Sequence, residues 1–182
     1  MNESDLIVYA EGLRKTEVIS KEEFVQGFGE MERSLFCIAR GFALSYADCD
    51  DVLQEAICKA WQCRGQLRQK KYFKTWATRI LINECKRTLK KNRRTLPVAQ
   101  IPENQSPVFM QQGAGLDMLM QDALYALEIK YRLPLLLKYR DGYSVEEIAR
   151  ILHLPSGTVT TRLYRARNKL KDILTGEEAL EF

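Results

Sequence analysis

The expected fold is all-α: two small helical domains joined by a flexible linker, the C-terminal one a helix-turn-helix. Three features of the 182-residue chain predict it. Apolar residues recur at three- and four-residue steps, and no tract alternates strictly with period two. Two Ser-x-x-Glu capping boxes, Ser20 with Glu23 and Ser144 with Glu147, open helical stretches. Between them, Asn92 to Gly115 holds Pro97, Pro102, Pro107, Gly113 and Gly115, a composition that suits an extended linker. The domains are therefore placed at residues 20–94 and 117–175. The linker takes 95–116, an extension 1–19 and a tail 176–182.

After Ser20, the residues Phe24, Phe28, Met31, Leu35, Ile38 and Phe42 line one face of a long helix. Gly27 and Gly29 weaken it, by about 1 kcal/mol each relative to Ala. Asp48, Asp50 and Asp51 crowd the start of the next helix, where the helix dipole favours anions. This second helix runs to about Trp61. Val52, Ala56 and Ala60 take its buried side, and Asp51, Gln54 and Glu55 lie together on the other. A third helix is expected from Tyr72 to Leu89, with Phe73, Trp76, Ala77, Ile80 and Leu81 inward. Thr75, Arg79, Asn83, Lys86 and Lys90 recur on another face. Such a stripe suits a nucleic-acid backbone, and Tyr72, Phe73 and Trp76 offer stacking surface for unpaired bases, although Trp76 is expected to be mainly structural.

In the C-terminal stretch, Ile148, Ile151 and Leu152 form the apolar stripe of one helix, and Leu154-Pro155 stops it. Ser156 is placed to cap the next helix, whose Val159, Leu163, Ala166 and Leu170 face the core. Its opposite face carries Thr158, Thr161, Arg162 and Arg165, hydroxyls and guanidiniums suited to base edges and phosphates in a major groove. An ordinary helical hairpin with a solvated charged face is the plainer reading of the same spacing.

Charge is distributed unevenly, although the net charge is only +4. Residues 1–61 hold 12 acidic and 6 basic side chains, whereas residues 62–94 hold 12 basic ones against the single acid Glu84. Blocks of opposite sign suggest two surfaces with different partners: phosphates for the basic one, a basic protein surface for the acidic one. Plain helix-start charge is the other reading of the acidic cluster.

The five cysteines, Cys37, Cys49, Cys58, Cys63 and Cys85, have neither the count nor the spacing of a disulfide framework or a zinc site. The lone His153 falls in a turn and has too few companions for a metal. No cofactor is expected. No apolar run reaches membrane-spanning length, and the acidic N-terminus lacks a signal-peptide pattern. A cytoplasmic chain with no direct membrane insertion is therefore expected.

The joint pattern resembles one family. It comprises Asp-Cys-Asp-Asp-Val-Leu-Gln-Glu-Ala-Ile-Cys-Lys-Ala-Trp from Asp48, Tyr-Phe-Lys-Thr-Trp-Ala-Thr-Arg-Ile-Leu-Ile-Asn-Glu-Cys-Lys-Arg from Tyr72, a proline-bearing linker and the helix-turn-helix. Residues 20–174 resemble bacterial RNA polymerase sigma factors of the extracytoplasmic-function (ECF) group. The resemblance implies that Asp48, Asp51, Gln54 and Glu55 dock on core RNA polymerase. It implies that Lys71, Phe73, Lys74, Arg79, Asn83, Lys86 and Arg87 recognise promoter DNA at the minus-ten element and help open it. Ser156, Thr158, Thr160, Thr161, Arg162 and Arg165 are then assigned to the minus-thirty-five element. It also implies control by an anti-sigma factor that covers both domains. The sequence shows no specific pocket for a flipped base.

Two rivals are weighed on the same residues. An autonomous helix-turn-helix regulator explains the C-terminal domain but leaves the acidic face and the N-terminal basic stripe without a common purpose. A metal-dependent nuclease would need Asp48, Asp51 and Glu55 as magnesium ligands. Two-metal chemistry draws ligands from several elements, and no second cluster is visible. Nor does a Ser/His/Asp arrangement or a phosphate-cradling glycine loop appear, so the chain is not expected to be an enzyme. Residues 1–19 fit either a short amphipathic helix against the first domain or a partner-binding arm.

Overall fold

Capping chemistry sets the start of the first helix in the computed structural model, which describes residues 19–95 and 116–175. Most of the N-terminal extension and of the linker, and the whole tail, lie outside the described residues. In helix α1 (Lys21–Arg40) the Glu23 N–H donates to Ser20 Oγ at 3.2 Å, and the Ser20 N–H donates to Glu23 Oε2 at 2.9 Å. Phe24, Phe28, Met31, Leu35 and Ile38 are buried along one stripe, as their spacing predicts. Each contributes about 1.5–3 kcal/mol of burial. The helix stops before Phe42, contrary to expectation. Ala43 takes a left-handed backbone (φ 57°), so the chain turns while Phe42 still reaches the core.

Helix α2 (Tyr46–Gln62) is capped by Ser45, whose Oγ accepts from the Asp48 N–H at 3.0 Å. Cys49, Val52, Leu53, Ala56 and Ala60 form its buried side. The basic loop that follows is built of two 3-10 turns, Arg64–Gln66 and Lys70–Tyr72, with Leu67 buried between them.

Helix α3 (Phe73–Thr95) begins one residue later than expected, because Tyr72 closes the second 3-10 turn. It also runs past Leu89 into the stretch expected to be linker. Residues Leu89–Thr95 contain no proline or glycine, and their four Lys and Arg side chains are good helix formers, so nothing in the stretch breaks the helix. Trp76, Ala77, Leu81, Ile82 and Cys85 are buried. Gly27 has a packing reason: a Cβ there would sit 2.5 Å from Phe73 Cε1.

The C-terminal half contains α4 (Leu116–Ala126), α5 (Ile129–Leu135), α6 (Val145–Leu152) and α7 (Ser156–Thr175). Pro134 sits inside α5 and has no N–H to give. The chain continues from α5 as a wide turn, Leu136–Arg140, in which the Asp141 N–H reaches Leu136 O at 3.2 Å. Helix α6 has the second capping box, with Glu147 N–H to Ser144 Oγ at 3.1 Å and Ser144 N–H to Glu147 Oε2 at 2.8 Å. The helix-turn-helix bend forms at His153, which is left-handed (φ 55°), while the Leu154 N–H donates to Ala149 O at 3.0 Å. Ser156 is not the cap residue. It is the first residue of α7, and the Pro155 carbonyl receives the first helical bond, from Val159 N–H at 3.1 Å.

The two halves pack on one another and share one hydrophobic cluster that includes Leu35, Leu81, Leu137, Ile148 and Val159. Tyr143 is buried against α3, its hydroxyl 2.7 Å from Thr78 Oγ1. Ser34 Oγ donates to Asp141 Oδ1 at 2.5 Å, and Lys74 Nζ donates to Asp141 O at 2.9 Å. Arg132 Nη1 donates to Gly41 O at 3.2 Å. Gly41 also admits Leu136, whose Cδ1 would lie 2.6 Å from a Cβ at that position. Sequence spacing carried no signal for this seam.

Candidate nucleic-acid interface

The acidic face of α2 arises from its register. Val52, Leu53 and Ala56 turn inward, which leaves Asp51, Gln54 and Glu55 exposed on the outer side. Asp48 is half-buried and tied into the cap, accepting from Ser45 Oγ at 2.7 Å. Glu55 Oε1 pairs with Arg87 Nη2 of α3 at 3.1 Å. The surface expected to meet polymerase and the one expected to meet DNA are therefore adjacent at this point.

Behind that pair lies Glu84, the one acid of the basic block, with its side chain 3% exposed. It accepts from Lys59 Nζ at 2.8 Å, and its second oxygen lies 2.8 Å from Arg87 Nε as an ion pair without an aligned hydrogen bond. This buried carboxylate locks α2 to α3 and directs Arg87 along the surface. The sequence signal for it was a lone acid among twelve bases.

The residues expected to meet the minus-ten element divide into three groups. Asn83 and Lys86 are exposed on α3, and Arg79 is half-buried beside them. Lys71 is exposed at the 3-10 turn, its ammonium 5.0 Å from the Tyr72 ring centre. Phe73 is half-buried and Lys74 exposed, and both have partners within the protein. Phe73 packs edge-on against Phe24 and Phe28, with ring centres at 6.0 Å and 5.4 Å. Phe73 is thus half-buried against the core in this arrangement, and Trp76, 7% exposed, is buried, in line with the mainly structural role expected of it. Lys74 bonds the Asp141 carbonyl and lies over the Tyr143 ring at 4.6 Å, so it serves the seam in this arrangement.

On α7, Val159, Leu163 and Ala166 are buried, and the opposite face presents Thr158, Thr161, Arg162 and Arg165. These four line a hollow of about 410 Å³ together with Lys130 and Tyr131. Thr160 and Thr161 turn their hydroxyls back on the helix, to Ser156 O at 3.1 Å and Gly157 O at 2.9 Å. Both residues are exposed. Ser156 is exposed at the helix start.

Arg162 also borders a larger cleft, of about 610 Å³, whose other walls include Lys86, Lys90 and Lys130. Basic residues expected on two separate DNA-reading surfaces thus line one concave space between the halves. Lys130 was not singled out from sequence, since an isolated lysine at a helix start carries no pattern. Among the described residues there is no group of three or more His, Cys, Asp and Glu side chains able to hold a metal, and no helix long and apolar enough to cross a membrane.

Comparison with known proteins fits this geometry. Residues 28–95 match the Sigma-70 region 2 family, and residues 117–170 match Sigma-70 region 4. The ECF RNA polymerase sigma factor SigM of Mycobacterium tuberculosis is 29% identical over 151 residues, covering 83% of this chain and 76% of that protein. The ECF RNA polymerase sigma-E factor of Escherichia coli K12 is 31% identical over 137 residues, covering 68% of this chain and 72% of that one. Two solved structures share the fold. The sigma factor RpoE of Bartonella quintana, in complex with the anti-sigma factor NepR, superposes with a TM-score of 0.74 at 24% identity, covering 86% of this chain and 99% of that one. CnrH, in complex with the cytosolic domain of CnrY, gives a TM-score of 0.64 at 24% identity over 97% of this chain and 100% of that one. An acidic helix locked to a basic one, then a helix-turn-helix packed against the basic one, is matched half by half to sigma regions 2 and 4, and the chain belongs to the ECF group of RNA polymerase sigma factors.

Proposed function

We propose that this chain docks on core RNA polymerase through the α2 face of Asp51, Gln54 and Glu55, with Asp48 fixing the start of that face. It brings two promoter elements under one protein. Arg79, Asn83, Lys86 and Arg87 on α3, with Lys71 at its approach, take the minus-ten element and stabilise it when unpaired. Thr158, Thr160, Thr161, Arg162 and Arg165 on α7, with Ser156 at its start, take the minus-thirty-five element. Functional domains at residues 20–94 and 117–175 fit the two matched regions, the first extended to Thr95 by the helix itself. Phe73 and Lys74 are left out of the minus-ten set in the packed arrangement, for the reasons of packing given above. The chain makes and breaks no bonds itself. The engagement of Asp48 in a cap and of Glu55 in an ion pair supports a docking role over metal ligation. Five free cysteines fit a reducing, cytoplasmic setting.

The observation that carries the mechanism is the shared cleft. Lys86 and Arg162 line one space of about 610 Å³, so residues assigned to two separate promoter elements face one another across a single cleft. The packed form is therefore a resting state, and promoter engagement requires the halves to separate. An anti-sigma factor that binds across both halves would hold this form; the similar sigma factor RpoE of Bartonella quintana is itself found in complex with the anti-sigma factor NepR. Run-off transcription with core polymerase on fragments of the host genome tests the reading. Specific start sites that depend on this chain are expected. Strong, sequence-specific duplex binding without core polymerase, and no core-dependent transcripts, would favour an autonomous regulator instead.

A further inference from the structure

Helix α1 faces α4 and α5 across a cavity of about 370 Å³ lined by Arg33, Arg40, Arg132 and Arg140. Leu124, Leu136 and the Tyr125 ring supply apolar wall. Two of the four guanidiniums are deeply buried: Arg40 is 7% and Arg132 is 5% exposed. Arg40 donates to the Leu44 carbonyl, and Arg132 donates to the carbonyls of Gly41, Tyr125 and Leu127, so both are held in place by neutral acceptors. The Nε–H of each is buried with no acceptor. Among the described residues none of the four forms an ion pair with a carboxylate. Burying a cation without a paired anion is unfavourable, and neutral carbonyls only partly offset the cost. Desolvation pulls the Arg132 and Arg140 pKa values down; at Arg140 the neighbouring Asp141 charge opposes the fall and Arg33 adds to it.

We propose that this cavity binds a small organic anion, a carboxylate or phosphate ester on an apolar body. The Arg33 and Arg140 guanidinium forks, which are not committed to carbonyls, match carboxylate and phosphate oxygens in pairs; the buried Arg40 and Arg132 add positive charge, and the leucine and tyrosine walls take the apolar part. The volume lies at the small-molecule end of known ligand sites, about 300–1,000 Å³. Because α1 supplies one wall and α4 and α5 the other, an occupant touches both halves and stabilises the packed form by mass action. Binding needs neither polymerase nor promoter, so the proposal stands apart from the assignment of the DNA-reading residues.

The test uses the full chain with octanoate and octyl phosphate as probes, and 1-octanol, octyltrimethylammonium and inorganic phosphate as controls. Calorimetry should show one saturable site for the two amphipathic anions, at least tenfold tighter than for any control. Cys37, half-buried on the cavity wall, gives an independent readout. Either anionic probe should slow its alkylation by iodoacetamide while leaving alkylation of the exposed Cys58 unchanged. Arg33→Gln with Arg140→Gln, both exposed positions at the mouth, should weaken probe binding at least tenfold with helicity and Tm retained. Octanol binding as tightly as octanoate, no protection of Cys37, or an unchanged affinity in the folded double variant would each overturn the proposal. A second variant tests the chain's own acidic tail as occupant. If Glu177, Glu178 and Glu181 changed together to Gln tighten probe binding tenfold or more, the cavity belongs to the tail and the small-molecule assignment falls.

Discussion

Arg87 shows how a single side chain can couple two surfaces. It holds the exposed Glu55 carboxylate at 3.1 Å and the buried Glu84 carboxylate at 2.8 Å. The Glu55 contact is a surface pair worth about 0–1 kcal/mol, so removing it should leave the fold standing. Replacing Asp51 and Glu55 by Lys should therefore leave helicity unchanged while weakening association with core polymerase by tenfold or more at low salt. The defect should show as a slower association rate that is most marked at low ionic strength. Unchanged core binding by the folded double variant would remove the acidic face from the docking surface. On α7 the comparison is between Arg162, half-buried at the cleft, and Arg165, fully outward. If either makes a bidentate contact to guanine, its change to Ala costs about 1–3 kcal/mol and relaxes preference at one base position. A residue that touches phosphate alone lowers binding to all sequences alike. Holoenzyme binding to a minus-thirty-five duplex series reads this out, and no loss with either variant would contradict the assignment.

At the scale of the element, α3 has three jobs along 23 residues. Its inner stripe of Trp76, Ala77, Leu81 and Cys85 fills the core, Thr78 meets Tyr143 at the seam, and Asn83 and Lys86 face outward. The first and third jobs were legible in the sequence because both follow the 3.6-residue period. The second was not, since a buried Thr differs from an exposed one only through its distant partner. The capping boxes of α1 and α6 were legible for the opposite reason: both partners lie within four residues. Phe73 illustrates the limit, because an aromatic beside a basic stripe reads as a stacking surface until Gly27 is seen to admit it into the core. With Phe73 occupied, the outward Asn83 and Lys86 should carry more of the melting function. Asn83→Ala with Lys86→Ala should impair open-complex formation more than recruitment of polymerase to duplex DNA. The defect should shrink on a template already unpaired at the minus-ten region, where the opening cost has been removed. Permanganate reactivity of thymines reports opening directly, and normal reactivity in the double variant would make the stripe a solvated face.

For the whole molecule, the question is how firmly the two halves hold each other. The seam has buried polar contacts at its centre, and the Thr78–Tyr143 pair at 2.7 Å is shut off from water. Burial pushes the Tyr143 hydroxyl up to about 12 from its ordinary 10, with the Asp141 and Glu147 charges adding to the effect and the Thr78 bond opposing it. Burial likewise raises Tyr125, although the charges of Arg40 and Arg132 beside it oppose the rise. A folded-state value raised above the unfolded one contributes stability that is full below pH 10 and is lost as pH climbs towards 12. The packed form should thus loosen across that window, and Tyr143→Phe should flatten the loss. The same variant tests the resting-state reading at neutral pH. It keeps the ring and its packing but strands the Thr78 hydroxyl in the core, at a cost of about 1–3 kcal/mol. If that cost falls on the packed form alone, the open population rises by roughly 5- to 150-fold. Small-angle scattering should show a larger radius of gyration, and transcription with core polymerase should rise in the absence of any anti-sigma factor. Thr78→Val combined with Tyr143→Phe removes both partners, leaves nothing unpaired, and should return the chain towards the packed dimensions. A single variant as compact as the native chain, or one that expands without gaining transcription, would show that the seam does not control access to the promoter-reading helices.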